Sequence, residues 1–161
     1  MLPLKTEIRG PAGRFDEADG DDIIDEVLTY FRANVLFRNF LIMGAADRTL
    51  IYLTLHAVQC LVKLEKIDDK PTALRELRAL SKDKPFTIPG EPGFPLNGVF
   101  PAAANKSEGD LFKAYMKQAR EELCVRLLDR VFAEGEVKSK WWQSFSKRKF
   151  MGKELNDAPT R

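Results

Sequence analysis

Apolar residues recur at three- and four-residue intervals over most of this chain, and a strong alternating strand pattern appears nowhere. Ile24, Val27, Leu28, Phe31 and Val35 share one helical face. Asp22 is placed to cap that helix, and Asp25 and Glu26 fall in its first turn, where negative charge suits the dipole. Arg32 and Arg38 lie toward the other end, and Gly44 closes the segment. A second helix is predicted from Asp47 to about Lys66, with no Gly or Pro inside it. It is apolar nearly all round: Leu50, Ile51, Leu53, Leu55, Ala57, Val58, Leu61, Val62 and Leu64. Tyr52, His56, Gln59 and Lys63 form its one polar line. A helix apolar on most of its surface is enclosed by neighbours. It is therefore expected at the centre, with a narrow strip toward water or a partner.

Asp68 to Ser81 reads as a short third helix, with Pro71 near its start and Leu74, Leu77 and Leu80 apolar. Residues 84–106 carry five of the nine prolines and read as a long loop. Ser107 with Asp110 resembles a capping arrangement for a fourth helix. Its apolar face begins as Phe112, Tyr115, Met116, Ala119 and Leu123, then rotates to Cys124, Leu127, Leu128 and Val131, as for a helix meeting two neighbours. Gly135 ends it, and a last short helix holds Trp141, Trp142 and Phe145. The predicted class is all-α: one compact helical domain over residues 1–161. It has an extended lead-in at 1–21, the proline-rich loop at 84–106 and a basic aromatic tail at 136–161. At 161 residues such a domain buries roughly 70% of the unfolded chain's surface, enough for a core without staples.

Net charge is only +2, but it is unevenly spread. Arg14 to Glu26 holds seven acids and one base; Glu136 to Lys153 holds six bases and one acid. Catalytic groups are scarce. The single histidine, His56, has no acid at helical spacing and reads as a packing or surface residue. Cys60 and Cys124 lie far apart in sequence in apolar helical patterns, which suits buried reduced thiols and a cytosolic setting better than a disulfide or a metal. The acids from Asp16 to Asp22 fail as a calcium loop, because the twelfth position would be Val27. Gly90 and Gly93 come with prolines and not with a phosphate-loop lysine. No apolar run approaches the roughly 18 residues of a membrane span. The expectation is a protein that is not an enzyme and has no cofactor.

Two segments carry the interaction chemistry. In Ile88-Pro-Gly-Glu-Pro-Gly-Phe-Pro-Leu-Asn97, Pro89, Pro92 and Pro95 recur every third residue, the period of an extended polyproline helix, with Gly90 and Gly93 supplying freedom in φ. It reads as a loop packed on its own domain, as a docking surface for a permanent partner, or as an SH3-type ligand, the last disfavoured by the glycines. The tail Lys138-Ser-Lys-Trp-Trp-Gln-Ser-Phe-Ser-Lys-Arg-Lys-Phe150 mixes bases with large aromatics. That mixture serves protein docking, nucleic-acid stacking or a lipid surface. The plainer reading packs the tryptophans on the helices and leaves Lys147, Arg148 and Lys149 in water. The expected partner-contact residues are Pro89, Glu91, Pro92, Phe94, Pro95, Trp141, Trp142, Lys147, Arg148 and Lys149.

Several segments together resemble subunit 3 of the actin-related protein 2/3 complex. They are Ile24-Asp-Glu26, Tyr30-Phe-Arg-Ala-Asn-Val35, Ala46-Asp-Arg-Thr-Leu-Ile-Tyr52, the proline segment, Ala104-Asn-Lys106, and Lys140-Trp-Trp142 with Lys147-Arg148 and Phe150-Met151. The resemblance implies a small, non-catalytic helical subunit of the assembly that nucleates branched actin filaments. It implies docking beside the actin-related protein 3 subunit, near the junction with the existing filament, in the cytoplasmic actin cytoskeleton. Partners would be the other subunits and the actin filament, with no nucleic acid and no membrane insertion. ATP would belong to the actin-related subunits. Members of that family carry residues ahead of the Leu2-Pro3 region, so either contacts made there are missing or replaced, or the sequence is truncated at that end. Residues 66–84 match poorly and are more charged. The rival expectation is a free-standing helical adaptor that binds acidic protein, lipid or RNA through its tail.

Overall fold

The computed structural model describes residues 1–36, 41–82 and 87–155. The expected placement of Arg38, the start of the proline-rich loop at 84–86 and the end of the tail at 156–161 lie outside them. Among the described residues there are six α-helices, and the sole β contact is an isolated bridge between Leu4 and Arg14. The helices are α1 (Ile23–Thr29), α2 (Phe31–Leu36), α3 (Ala45–Leu64), α4 (Lys70–Lys82), α5 (Lys106–Val131) and α6 (Lys140–Gln143).

Asp22 caps α1 as its sequence position requires. Its carboxylate accepts the N–H groups of Ile24 and Asp25 at 3.1 and 2.9 Å, and Asp25 returns the favour at the Asp22 N–H, 3.2 Å away. The first helix then breaks at Tyr30, and the chain starts again as α2 at Phe31. No Gly or Pro marks that break. It lies one residue before a fully buried Phe31 ring that packs against Trp142 and Phe145 of the tail.

The predicted central helix is α3. It is buried at every position from Thr49 to Val58, so all of its circumference there is covered. Its neighbours are α1, α2, α4, α5 and α6. The polar strip is a correction. Tyr52 and His56 do not face water; both are buried, because α5 presents polar groups of its own to them. The Arg120 guanidinium donates to the Tyr52 hydroxyl at 3.3 Å and to the Leu80 carbonyl at 2.9 Å. Only Gln59, half-buried, and Lys63 come near the surface on that line. Leu55 is 2% exposed. Leu55→Ala is expected to cost about 2–5 kcal/mol, as buried leucine truncations do. Gln59→Ala should cost about 1 kcal/mol, the scale of a lost hydrogen bond. Urea melts of the two variants check this, and the reverse order would mean that the helix is rotated about its axis.

Helix α4 starts with Pro71 in its first turn and lays Ala73, Leu77 and Ser81 along α5, a stripe at every fourth residue. Helix α5 is capped by Asn105, whose side chain accepts the Glu108 N–H at 2.9 Å, and not by the Ser107–Asp110 arrangement expected. The cap falls two residues earlier because Glu108 also reaches back to the Ala104 N–H. The predicted rotation of its apolar face is present: Tyr115, Met116, Ala119 and Leu123, then Cys124, Leu127, Leu128 and Val131, are all buried. This lets α5 pack on α4, α3 and α1 at once.

The lead-in is held by side chains of α5. Gln118 donates to the Ile8 carbonyl at 2.7 Å and accepts the Ala12 N–H at 2.9 Å, and Tyr115 donates to the Leu2 carbonyl at 3.0 Å.

Candidate interaction surface

The tail begins by closing α3. The Lys138 ammonium donates to the Leu64 carbonyl at 2.8 Å and to that of Glu65 at 3.4 Å, at the negative end of the helix. Ser139 then caps α6, accepting the Trp142 N–H at 3.4 Å. In one turn of helix Trp141 and Trp142 must point apart. Trp142 goes inward, 7% exposed, with its ring 5.4 Å from that of Phe31. Trp141 stays 46% exposed, edge-on to Trp142 and Phe145 at 5.0 and 4.9 Å. Phe145 and Phe150 are buried, while Lys147, Arg148 and Lys149 between them are exposed. Ser146 donates to the Glu65 carboxylate at 2.5 Å. Lys149 meets Glu154 at 3.2 Å, an exposed pair of small energetic weight. An open groove of about 560 Å³ is lined by Glu65, Lys138, Gln143, Ser144, Ser146 and Lys147.

The proline segment folds back on itself and does not form the extended helix its prolines suggest. Successive turn hydrogen bonds join Glu91 to Ile88, Phe94 to Glu91 and Asn97 to Phe94. Gly90 and Gly93 take φ of +93° and +88°, which side chains with a Cβ rarely adopt, and this turns the chain out of the polyproline path. Asn97 ties the turns together, accepting the Gly90 N–H at 2.8 Å and donating to the Glu91 carbonyl at 2.9 Å. Phe94 is buried, stacked on Tyr52 at 6.4 Å and edge-on to Phe100 and Phe112. Pro89 is buried, Glu91 and Pro95 are half-buried, and Pro92 is exposed. Glu91 faces Lys113 at 3.7 Å. The two segments meet where Lys153 donates to the Pro95 carbonyl at 3.0 Å.

Of the ten expected contact residues, Pro89, Phe94 and Trp142 fill the chain's own core. Trp141, Lys147, Arg148 and Lys149 are exposed along the tail, and Pro92 is a second exposed point. This surface offers an aromatic edge and positive charge, suited to holding a partner.

Sequence reasoning missed two clusters, the first part-buried and the second fully buried. Arg126 binds Asp22 at 2.7 and 2.9 Å, Asp25 at 3.0 Å, Glu122 at 2.7 Å and the Lys5 carbonyl. Only the Glu122–Arg126 spacing of four was visible in the chain. Cys60 and Cys124, expected to be solitary, are neighbours with their sulfurs 3.6 Å apart and His56 against both. The spacing of four between His56 and Cys60 was the visible part; the 64 residues to Cys124 hid the rest.

The family model and the curated relatives that the chain matches point to one family. Residues 1–155 match the model of a family described as P21-Arc, the ARP2/3 complex ARPC3 (21 kDa) subunit. The actin-related protein 2/3 complex subunit 3 of Schizosaccharomyces pombe is 47% identical over 156 residues, 96% of this chain and 88% of that protein. That of Dictyostelium discoideum is 46% identical over the same shares. A probable subunit 3 from Caenorhabditis elegans is 44% identical over 96% of this chain and 83% of its own length.

Proposed function

The chain belongs to the P21-Arc family, subunit 3 of the actin-related protein 2/3 complex, and from that premise we propose how it holds its place in the assembly. The family is one of structural subunits and not of enzymes. In this reading the chain docks beside the actin-related protein 3 subunit, near the junction with the existing filament, within the cytoplasmic actin cytoskeleton. Trp141 supplies apolar contact, and Lys147, Arg148 and Lys149 face an acidic surface of actin or an actin-related subunit. Glu91, Pro92 and Pro95 form a second contact. Pro89, Phe94 and Trp142 act from inside, by fixing the backbone that carries the exposed groups. Neither nucleic acid nor membrane insertion is part of the role, and no described helix is long and apolar enough to cross a membrane.

The observation that carries this reading is that Trp141 is half-exposed and Lys147, Arg148 and Lys149 are exposed, on one tail segment pinned by Trp142, Phe145 and Phe150. A rigid aromatic next to clustered charge is what a permanent interface uses: burial for affinity, charge for orientation. Changing Lys147, Arg148 and Lys149 together to Ser should leave the melting temperature of the chain unchanged. It should weaken incorporation into the reconstituted complex at low salt, and the difference should shrink as salt rises past about 0.1 M, where screening acts over roughly 10 Å. Assembly measured by co-purification, and branching measured by filament imaging, give the answer. Assembly identical to wild type at every salt concentration would remove these bases from the interface. Salt-steep retention on anionic beads without actin-related proteins would instead favour the free-standing adaptor.

A further inference from the structure

Three helices bring four side-chain donors to one point inside the core. His56 and Cys60 lie one turn apart on α3, Ser81 lies in the last turn of α4, and Cys124 lies on α5. All four are fully buried. The His56 Nε2 atom is 3.5 Å from Cys60 Sγ, 3.5 Å from Cys124 Sγ and 3.4 Å from Ser81 Oγ. The two sulfurs are 3.6 Å apart, and Ser81 Oγ is 3.1 Å from Cys124 Sγ. Zinc holds thiolate sulfur at about 2.3 Å and imidazole nitrogen at about 2.0–2.1 Å in a tetrahedron, which sets its ligand atoms about 3.3–3.8 Å from one another. The three separations within the histidine–dithiol triangle fall inside that range, and those to Ser81 lie in it or just below.

The surroundings fit as well. His56 Nδ1 is 2.9 Å from the Gln59 side-chain oxygen, which only accepts, so Nδ1 carries the proton and Nε2 turns its lone pair toward the sulfurs. Ligating histidines are set in the same way by the hydrogen bond at their other nitrogen. Gln59 is itself held, donating to the Leu155 carbonyl at 3.3 Å. The Ser81 hydroxyl donates to the Leu77 carbonyl at 2.9 Å, which leaves its oxygen lone pairs for a cation. Two thiolates cancel a divalent charge, so the occupied site would bury no net charge, whereas one thiolate or imidazolium alone would be costly there. Among the described residues, His56, Cys60 and Cys124 form a group of potential metal ligands.

We propose that His56, Cys60 and Cys124, with Ser81 completing the shell, form a structural site for a thiophilic divalent cation of the zinc class, tying α3, α4 and α5 together. The donors have no exposed surface, so the ion enters as the chain folds, and binding is coupled to stability. The test is the full chain expressed in zinc-supplemented medium and purified with a reducing agent and no chelator. Elemental analysis should find about one zinc per chain, retained on dialysis, as expected of a structural site. Chain produced with cobalt in place of zinc should show sulfur-to-cobalt charge-transfer absorption and tetrahedral d–d bands. Cys124→Ala should lose both the ion and the spectrum. Ser81→Ala should keep the charge-transfer band and alter the d–d bands. The wild-type measurements need no variant, so a misfolded Cys124→Ala would not obscure the result. Wild-type chain without metal and without a cobalt–sulfur band, or a Cys60–Cys124 disulfide in its place, would overturn the proposal. So would metal that survives the loss of Cys124.

Discussion

Arg126→Ala should destabilise the chain by about 3–5 kcal/mol, the cost of removing one partner from a buried ion pair. Against a total stability of about 5–15 kcal/mol, that is enough to unfold a marginal protein. The Asp22 side chain has no exposed surface, and Arg126 reaches it through both terminal nitrogens. The same guanidinium also pairs with Asp25 and Glu122 and binds the Lys5 carbonyl, so one side chain joins the lead-in, α1 and α5. Without it, three carboxylates are left close together and one of them is buried. Burial pushes the Asp22 carboxyl up. Hydrogen bonds from Arg126 and from the Asp25 and Lys5 N–H groups, with the Arg126 charge, outweigh it and hold the carboxyl below its usual range. A lowered folded-state pKa gives stability that is fully present above the unfolded value, near 3.9, and is lost as pH falls through the folded value. The gap between wild type and Arg126→Ala should therefore be constant near neutrality and should narrow in acid, as the unfolded chain takes up its protons through the ordinary carboxyl range and the folded Asp22 takes up its own at lower pH. Urea midpoints across this pH range measure both effects. A loss under about 1 kcal/mol at neutral pH would reduce the cluster to an ordinary surface pair.

The adjacent tryptophans should fail in opposite ways. Trp142→Ala is expected to cost about 3–5 kcal/mol, as buried aromatic truncations do. Its ring is covered and packs on Phe31, which also meets Phe145 edge-on at 5.6 Å, so its loss should loosen both the tail and α2. Trp141→Ala removes a half-exposed ring and should shift folding by less than about 1 kcal/mol. It should still reduce incorporation into the complex, because an exposed tryptophan at an interface centre often accounts for about 2 kcal/mol or more of binding. Thermal melts of the isolated chain and co-purification with the other subunits separate the two effects. A stable Trp142→Ala chain together with an unfolded Trp141→Ala chain would mean that α6 docks by its other face.

Much of the fold was legible in the chain because its signals are local. The Asp22 cap, the Pro71 start, the enclosed run of α3 and the rotating face of α5 each depend on residues within a turn or two of one another. The break at Tyr30 was not legible, since no residue there forbids a helix and the packing of Phe31 with the tail lies over a hundred positions away in sequence. The polyproline reading of Pro89, Pro92 and Pro95 failed for a different reason. Prolines restrict φ only at their own positions, whereas Gly90 and Gly93 between them chose the turns.

The candidate surface was half legible. Composition named the basic aromatic tail, but the inward Trp142 and the outward Trp141 are chemically identical neighbours that only the docking of α6 tells apart. Periodicity by itself determined an all-helical chain with α3 at its centre, because apolar burial must follow the helical repeat. The tertiary structure alone decided what the buried polar groups do. Asp22 finds Arg126 across 104 residues and Cys60 finds Cys124 across 64, and a polar group in the core is stabilised by its partner, which no pattern on its own helix can supply.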